Sequence, residues 1–252
     1  MILNNASDIR LGDTAVSRVY CGDTLVWYRN ESDLAVLPTG YTLGNTFELN
    51  QQAINTGMQP YSGTLTAVIK FKMVESLYNV HDHYDVILGG QLSDPMRRYD
   101  ESPSDGNLQI GFDRDLGTDN FYTRVFTNSR WYSHSLSSNT ASVEIGQTHT
   151  LNVTVTPMNI TISVDGGTAT SQQCDNNAGA PARDVWIGSN GNPANAYEYL
   201  WKLTSHIQYE YVKLYDSGQL KRWLVPVRDE SDNAAIYDYI TGQFYSPIFI
   251  NS

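Results

Sequence analysis

An alternating segment near residue 70 limits what this chain can fold into more than any other feature. Because successive side chains of a β-strand point to opposite faces, an apolar residue at every second position predicts a strand with one buried and one wet side. The same alternation recurs in residues 151–155 and 160–164, on either side of Pro157-Met158-Asn159, which predicts a β-hairpin. In the first segment the apolar positions are Leu65, Ala67, Ile69, Phe71 and Met73, and the polar ones are Thr66, Lys70 and Lys72.

The rest of the chain follows the same short-strand pattern, without a clear amphipathic helix. Tyrosine dominates the aromatic residues, with 17 Tyr against 7 Phe and 5 Trp, as is typical of half-buried strands and polar loops. Strand number and spacing favour an all-β, two-sheet sandwich, and 252 residues are compatible with one such domain. Further strands are predicted at 84–88, 108–112, 121–126, 185–188, 207–215 and 220–225.

The N-terminal segment carries a short internal repeat. Gly12-Asp13-Thr14 recurs ten residues later as Gly22-Asp23-Thr24, and each Gly-Asp is a turn signal in a small β-meander with strands at 16–20 and 25–28. Such a unit is too short to be stable alone, so its apolar residues are expected to pack either on the chain's own sandwich or on a partner. We therefore divide the chain into an arm, residues 1–33, and a sandwich, residues 34–252. The candidate anchor residues of the arm are Val19, Tyr20, Leu25, Val26 and Trp27.

Charge and hydropathy limit the classes of partner that this chain is expected to bind. The net charge is −11, which argues against nucleic acid, because phosphate binding needs concentrated Lys and Arg. No stretch reaches the apolar length of a membrane span, and the first residues, MILNNASDIR, lack the pattern of a signal peptide. We expect no membrane insertion and synthesis in a cytoplasm.

The central hairpin and the strands after it resemble laminin-G/concanavalin-A-like domains. The hairpin runs from Gly146 to Gly166 and ends in Asp-Gly; Val185-Trp-Ile-Gly188 and the long strand 207–216 follow in the order of that family. The resemblance covers about residues 40–250 and implies a jelly-roll sandwich.

Both ends of the chain resemble laminin-G-like virion proteins of bacteriophages and prophages, especially those of gut bacteria. The similar segments are VYCGDTLVW (19–27), VKLYDSGQLKRWLVPVR (212–228) and AIYDYITGQFY (235–245). This resemblance implies a capsid decoration, head fibre or tail fibre component, located in the virion and assembled in the bacterial host cytoplasm. Its implied partners are other virion proteins and copies of itself, with a trimer expected for fibres.

Catalytic motifs do not support an enzyme. Hydrolases of this sandwich type need two carboxylates on a Glu-x-Asp-x-x-Glu or Glu-x-Asp-x-Glu strand, and Glu210 has no acidic neighbour at that spacing. The sequence also lacks the Gly-x-Ser-x-Gly elbow of a nucleophilic serine. We predict a non-enzymatic protein; the alternatives are a free-standing carbohydrate-binding module and a divergent glycoside hydrolase.

Aromatic residues in two loops are candidates for glycan recognition. Aromatic faces stack on the C–H surfaces of sugars, while polar groups hydrogen-bond the hydroxyls. Asn190, Asn192 and Asn195 lie near one of these loops in sequence. Tyr and Trp are also enriched at protein interfaces, so a subunit contact is the competing interpretation. The candidate residues are Trp131, Tyr132, Tyr197, Tyr199 and Trp201.

No cofactor is predicted, and the metal candidates are weak. His81, His83 and Asp85 alternate in an extended segment and suit zinc. Asp113 and Asp115, together with 175–177, offer the oxygen ligands that calcium prefers, in which case the ion would be structural. Asp and Asn are ordinary turn residues and His81 to Asp85 is a polar run, so solvated loops are the default interpretation of both groups.

Overall fold

The computed structural model describes fourteen stretches of the chain. They are residues 9–11, 14–16, 18–21, 24–28, 35–59, 64–75, 84–90, 107–113, 120–127, 130–135, 144–156, 158–173, 184–189 and 206–249.

These stretches contain twenty-one strands and, within them, no helix. It follows that the described residues include no helix able to cross a membrane. In chain order the strands are β1 (Ile9–Leu11), β2 (Thr14–Val16), β3 (Arg18–Cys21), β4 (Thr24–Tyr28), β5 (Tyr41–Leu43), β6 (Phe47–Asn50), β7 (Gln52–Asn55), β8 (Leu65–Glu75), β9 (Tyr84–Gly90), β10 (Asn107–Asp113), β11 (Asn120–Thr127), β12 (Arg130–Ser135), β13 (Thr148–Val155), β14 (Asn159–Val164), β15 (Thr170–Gln173), β16 (Val185–Ile187), β17 (His206–Asp216), β18 (Gln219–Asp229), β19 (Ala234–Asp238), β20 (Phe244–Tyr245) and β21 (Ile248–Phe249).

Two antiparallel sheets form the sandwich. The larger has ten strands in the order β15-β14-β13-β8-β17-β18-β19-β20, with β5 added to β18 and β6 to β17. The smaller has seven strands in the order β12-β11-β10-β9-β16-β7-β21. The predicted all-β, two-sheet sandwich is confirmed, and sequence neighbours such as β8 and β9 lie in different sheets.

The core lies between the sheets and uses the alternation seen in the sequence. All five apolar positions of β8 from Leu65 to Met73 are buried, and they pack with the alternate residues of β13 and β14. The hairpin predicted between β13 and β14 is confirmed, with Val155 opposite Ile160. Each such buried aliphatic or aromatic side chain contributes roughly 1.5–3 kcal/mol relative to exposure, so the alternation itself determines which face turns inward.

Two features of the laminin-G-like pattern have clear structural roles. Asp165, which precedes Gly166 at the end of β14, accepts a hydrogen bond from Thr150 N at 2.7 Å and lies 2.9 Å from His149 Nδ1. Gly188, at the end of β16, has a φ of 80°, and a Cβ there would stand 2.4 Å from the backbone oxygen of Gln52. Only glycine fits this close approach between β16 and β7.

The N-terminal arm differs in detail from the predicted meander. The strand expected at 16–20 is two strands, β2 and β3, and the described strands of the arm pair as two separate ladders, β1-β2 and β3-β4. Leu11 is opposite Thr14 in the first ladder and Cys21 is opposite Thr24 in the second; the Gly-Asp pairs between them lie outside the described residues. Among the described strands, neither ladder is hydrogen-bonded to a sheet of the sandwich.

Candidate functional site

The predicted anchor residues of the arm lie in one ladder. β3 and β4 place Val19 opposite Trp27 and Tyr20 opposite Leu25, with a bulge that leaves Val26 between the two pairs. The sequence interpretation thus selected a structural unit. Its role as an anchor stays a prediction.

The predicted glycan-binding aromatics are only partly within the described residues. Trp131 and Tyr132 were predicted in a loop, but they lie in the strand β12, opposite Phe126 and Val125 of β11. Tyr197, Tyr199 and Trp201 lie outside the described residues, so their role in glycan binding or in a subunit contact stays a prediction.

Of the candidate metal ligands, some lie within the described residues and some outside them. Asp85 lies in β9 opposite Phe112, and Asp113 ends β10 opposite Tyr84. His81, His83 and Asp115 lie outside the described stretches, as do 175–177. Within those stretches, no three His, Cys, Asp or Glu side chains are grouped so that they could hold a metal ion.

A second aromatic cluster, which the sequence interpretation missed, lies on the outer face of the ten-stranded sheet. Val225, Val227 and Tyr237 are its buried members, and Trp223 and Tyr239 pack edge to face beside them with ring centroids 5.0 Å apart. Residues 35–43 cover part of it through Leu37 and Tyr41. Its rim includes two exposed apolar side chains: Leu43, opposite Val227, and Phe244, whose ring packs on Tyr237.

The ring of Trp223 is not open for stacking on a sugar. The Lys213 ammonium lies 4.1 Å from the ring centroid, in a cation–π contact. The indole nitrogen is buried, and no described residue accepts a hydrogen bond from it. We therefore interpret this aromatic cluster as a small secondary core.

The tail motif AIYDYITGQFY is organised around a buried carboxylate. Asp238 has no exposed surface; its Oδ1 accepts hydrogen bonds from Trp223 N at 2.8 Å and Ile240 N at 3.0 Å, and its Oδ2 accepts one from Thr241 Oγ1 at 2.8 Å. Gly242 ends this turn with a φ of 71°. The motif therefore closes the β19-β20 turn and ties it to β18.

An arginine connects this turn to the start of the sandwich. Arg222 Nε lies 3.7 Å from Asp238 Oδ2 and donates a hydrogen bond to Thr56 O at 2.7 Å. The Tyr245 hydroxyl donates to the same oxygen at 3.2 Å. Burial, followed by the negative charge of Asp238, raises the pKa of Tyr245. These contacts hold the β19-β20 turn, β18 and residue 56 together, which is a structural role.

Glu48 is the centre of a polar group on the outer face of the same sheet. Its carboxylate accepts a hydrogen bond from Gln208 Nε2 at 2.6 Å and lies 3.0 Å from His206 Nε2. The Gln208 hydrogen bond lowers the pKa of Glu48 the most, and His206 and Lys72 lower it further. The carboxylate is exposed, so its interactions are screened by solvent.

The outer face of the seven-stranded sheet carries a buried glutamine. Gln109 lies in β10 between Leu108 and Ile110, whose side chains belong to the core, so the Gln109 side chain leaves the sheet on the opposite side. It has no exposed surface, and among the described residues neither its Oε1 nor its Nε2 has a hydrogen-bond partner. In the sequence, Gln109 looks like any solvent-exposed polar residue of a strand.

Gln109 belongs to a row of residues across four strands. Its register partners are Gly89 of β9 and Arg124 of β11, and Gly89 is in turn opposite Trp186 of β16. Trp186 lies between two core residues of β16, is 6 % exposed and packs on Ala53. This face therefore combines an amide, a glycine and an indole in consecutive strands.

The rim beyond Trp186 is held by hydrogen bonds. Asp184 accepts one from Asn55 Nδ2 at 2.8 Å and one from Gln59 Nε2 at 2.9 Å. Thr56 Oγ1 donates to Val185 O at 2.6 Å. β7 and β16 are thus fixed relative to each other next to the row.

Comparison with known proteins gives a likeness of fold. No family model and no curated protein matches the chain. Among solved structures, the alginate lyase AlyC3 is similar with a TM-score of 0.43 and 10 % identity over 68 % of this chain and 74 % of that one. Domains LG4-5 of the mouse laminin alpha1 chain are similar with a TM-score of 0.45 and 12 % identity, over 80 % of this chain and about half, 47 %, of the laminin chain. An alginate lyase from Klebsiella pneumoniae is similar at 0.40 and 7 % identity, over 61 % of this chain and 60 % of that one.

These likenesses agree with the predicted laminin-G/concanavalin-A-like jelly roll, and they also require a correction. We predicted a non-enzymatic protein from the absence of a glycosidase motif, but structures of similar fold include alginate lyases, which are enzymes. The physical reason is that a carboxylate-pair motif tests for hydrolysis alone, whereas a lyase cleaves without adding water. The missing motif therefore gives no ground for excluding catalysis.

Proposed function

We propose that this chain is a structural component of a bacteriophage virion. In this proposal the arm, residues 1–33, docks on another virion protein or on copies of the chain in a closed homo-oligomer, a trimer in the case of a fibre. The sandwich is then displayed for attachment to a glycan on the host surface.

The observation that carries the proposal is that the arm forms ladders of its own. β1-β2 and β3-β4 are two-stranded units that share no hydrogen-bonded strand with the sandwich among the described residues. A two-stranded hairpin is marginally stable in water, and its open edges accept further strands. A partner that supplies packing and hydrogen bonds to these edges would explain why the chain retains the repeat.

The resemblance at the two ends of the chain supports the same proposal. The β3-β4 ladder coincides with the phage-like leader segment, and β18 to β20 coincide with the phage-like tail segment. The tail contacts described above assign that segment a structural role in the sandwich. The arm therefore remains the segment available for docking.

Incorporation into particles tests the proposal. In a phage that encodes this chain, we expect protein lacking residues 1–29 to be absent from gradient-purified particles, as measured by mass spectrometry, while circular dichroism of the purified protein shows a folded sandwich. Trp27→Asp should reduce incorporation as well, because it places a charge in the β3-β4 ladder.

The matched control is Val36→Asp, which introduces the same charge at an exposed position of the sandwich, 56 % accessible. This variant should enter particles normally. Normal incorporation of the truncated protein would refute the docking role of the arm and would favour a carbohydrate-binding module that acts without assembly.

A further inference from the structure

The aromatic cluster on the outer face of the ten-stranded sheet is only partly covered. Leu43 lies opposite Val227 in the β5-β18 ladder, and the ring centroid of Phe244 is 4.9 Å from that of Tyr41 and 5.1 Å from that of Tyr237. Leu43 is nevertheless 59 % exposed and Phe244 46 % exposed. Because burial of apolar surface is favourable, a further apolar segment that covered this rim would gain stability.

The arm is tethered beside this cluster. Residues 35–43 pack on the cluster through Leu37 and Tyr41, and six residues, 29–34, separate this segment from the end of β4 at Tyr28. The seven Cα–Cα steps from Tyr28 to residue 35 span at most about 25 Å. Where several copies meet, the arm of one copy can therefore reach the cluster of the next.

The rim of the cluster is open in a single chain that includes its own arm. Leu43 and Phe244 are exposed there, and Val19 of the β3-β4 ladder is also partly exposed. Among the described strands, the arm shares no hydrogen-bonded ladder with the sandwich. The anchor residues of β3 and β4 are apolar, as the rim is. An apolar ladder and an apolar rim thus lie in the same chain, and neither is fully covered by it.

We propose that the β3-β4 ladder of one copy docks on the aromatic cluster of a second copy and covers the rim formed by Leu43 and Phe244. This inference rests on the homo-oligomer part of the proposed function and names the surface that receives the arm. Every copy has one arm and one cluster, so a closed ring in which each arm enters the next copy leaves neither uncovered.

Interface size favours arm exchange over direct packing of two clusters. A stable interface buries about 800 Å² on each partner, which is more than two rim side chains can supply. Exchange buries the ladder as well as the rim, and a closed ring repeats the contact at every subunit. The exchanged ladder also gains the packing that a lone two-stranded hairpin lacks.

Sedimentation velocity of the full-length protein tests the proposal. The wild-type protein should form an oligomer. Leu43→Asp should raise the dissociation constant of this oligomer by roughly tenfold or more, because it places an unpaired charge in an apolar contact. Phe244→Asp is a second rim variant, and Trp27→Asp should have the same effect from the side of the arm. Met158→Asp, at a 48 % exposed position next to the start of β14, is the matched control and should associate like the wild type.

Mixing two full-length variants tests exchange between copies. Trp27→Asp keeps the cluster and Leu43→Asp keeps the arm, so an equimolar mixture should contain a complex of one copy of each that neither variant forms alone. Circular dichroism should show that both variants are folded. A monomeric wild-type protein, or a mixture without this complex, would overturn the proposal. So would wild-type association of Leu43→Asp, which would indicate contact between arms, or of Trp27→Asp, which would indicate contact between clusters.

Particle incorporation separates this inference from the virion proposal. If Trp27→Asp is monomeric in solution but the arm truncation enters particles normally, the exchange holds and the docking role in the virion fails. If the wild-type protein is monomeric while the truncation is absent from particles, the exchange fails and the virion proposal holds.

Discussion

Asp238 and Gln109 are both polar, and neither has any exposed surface, yet their surroundings are opposite. The carboxylate of Asp238 accepts hydrogen bonds from two backbone amides and a threonine hydroxyl, and an arginine lies nearby. The amide of Gln109 has no hydrogen-bond partner at either atom within the described stretches. A fully paired buried group stabilises the local fold, whereas an unpaired one lowers stability and needs another explanation. The difference separates a motif whose hydrogen bonds are complete from a position whose amide the described part of the chain leaves unpaired.

The largest effect is expected at Asp238. Asp238→Ala leaves several buried donors and the Arg222 charge unpaired, so the free energy of unfolding should fall by about 3–5 kcal/mol in urea denaturation. Asp238→Asn keeps an acceptor for the backbone amides and should lose less. Asp229→Ala, which removes a carboxylate that holds an exposed turn, is the control and should lose clearly less than Asp238→Ala. Equal losses would show that the burial of Asp238 has no energetic consequence.

An effect of opposite sign is expected at Gln109. Gln109→Leu removes two unpaired polar groups, so the free energy of unfolding should rise by about 1–3 kcal/mol. Gln173→Leu at an exposed strand position should change it by less than about 0.5 kcal/mol. A decrease for Gln109→Leu would mean that the amide has a structural partner, and the contrast with Asp238 would disappear.

The smallest effect is expected at Glu48, which is paired like Asp238 but exposed like Gln173. Because its pKa in the folded chain is lowered, its contribution to stability is present above the pKa of the unfolded chain and is lost as the pH falls through the folded pKa. Glu48→Gln should therefore slightly reduce the loss of stability between about pH 7 and about pH 3. Glu230→Gln serves as the exposed control. A large change for Glu48→Gln would contradict the screening expected at the surface.

The regular part of the fold was predictable because its signal is local. The alternation in β8, β13 and β14 specifies a buried face residue by residue, and that face is the one that the core contains. The arm was predicted less well, since a repeat of two Gly-Asp turns is compatible with one meander or with two hairpins. Pairing between strands that are distant in sequence, such as β17 with β6, leaves no local trace.

The candidate site was predictable only in part for a similar reason. Trp27 and its neighbours stood out as an apolar group in a short arm, and the structure places them in one ladder. The site residues predicted from the sequence were aromatics assigned to loops, and they did not include Trp223 or Gln109. Both of these lie in strands, where their residue types carry no special signal. Whether a strand residue on the outer face is wet or covered depends on what packs above it.

By itself, the sequence determined that this chain is an all-β sandwich and which side chains enter the space between its sheets, because the two-residue period of a strand converts position directly into face. It also singled out the tail motif as distinctive, but it did not predict the hydrogen bonds that the motif makes. Only the tertiary structure decided that Asp238 is the satisfied centre of a turn, that Gly188 must lack a side chain, and that Gln109 is buried without a hydrogen-bond partner from the described residues. Each of these depends on atoms contributed by segments far apart in the chain, and close packing brings those atoms together only when the fold is complete.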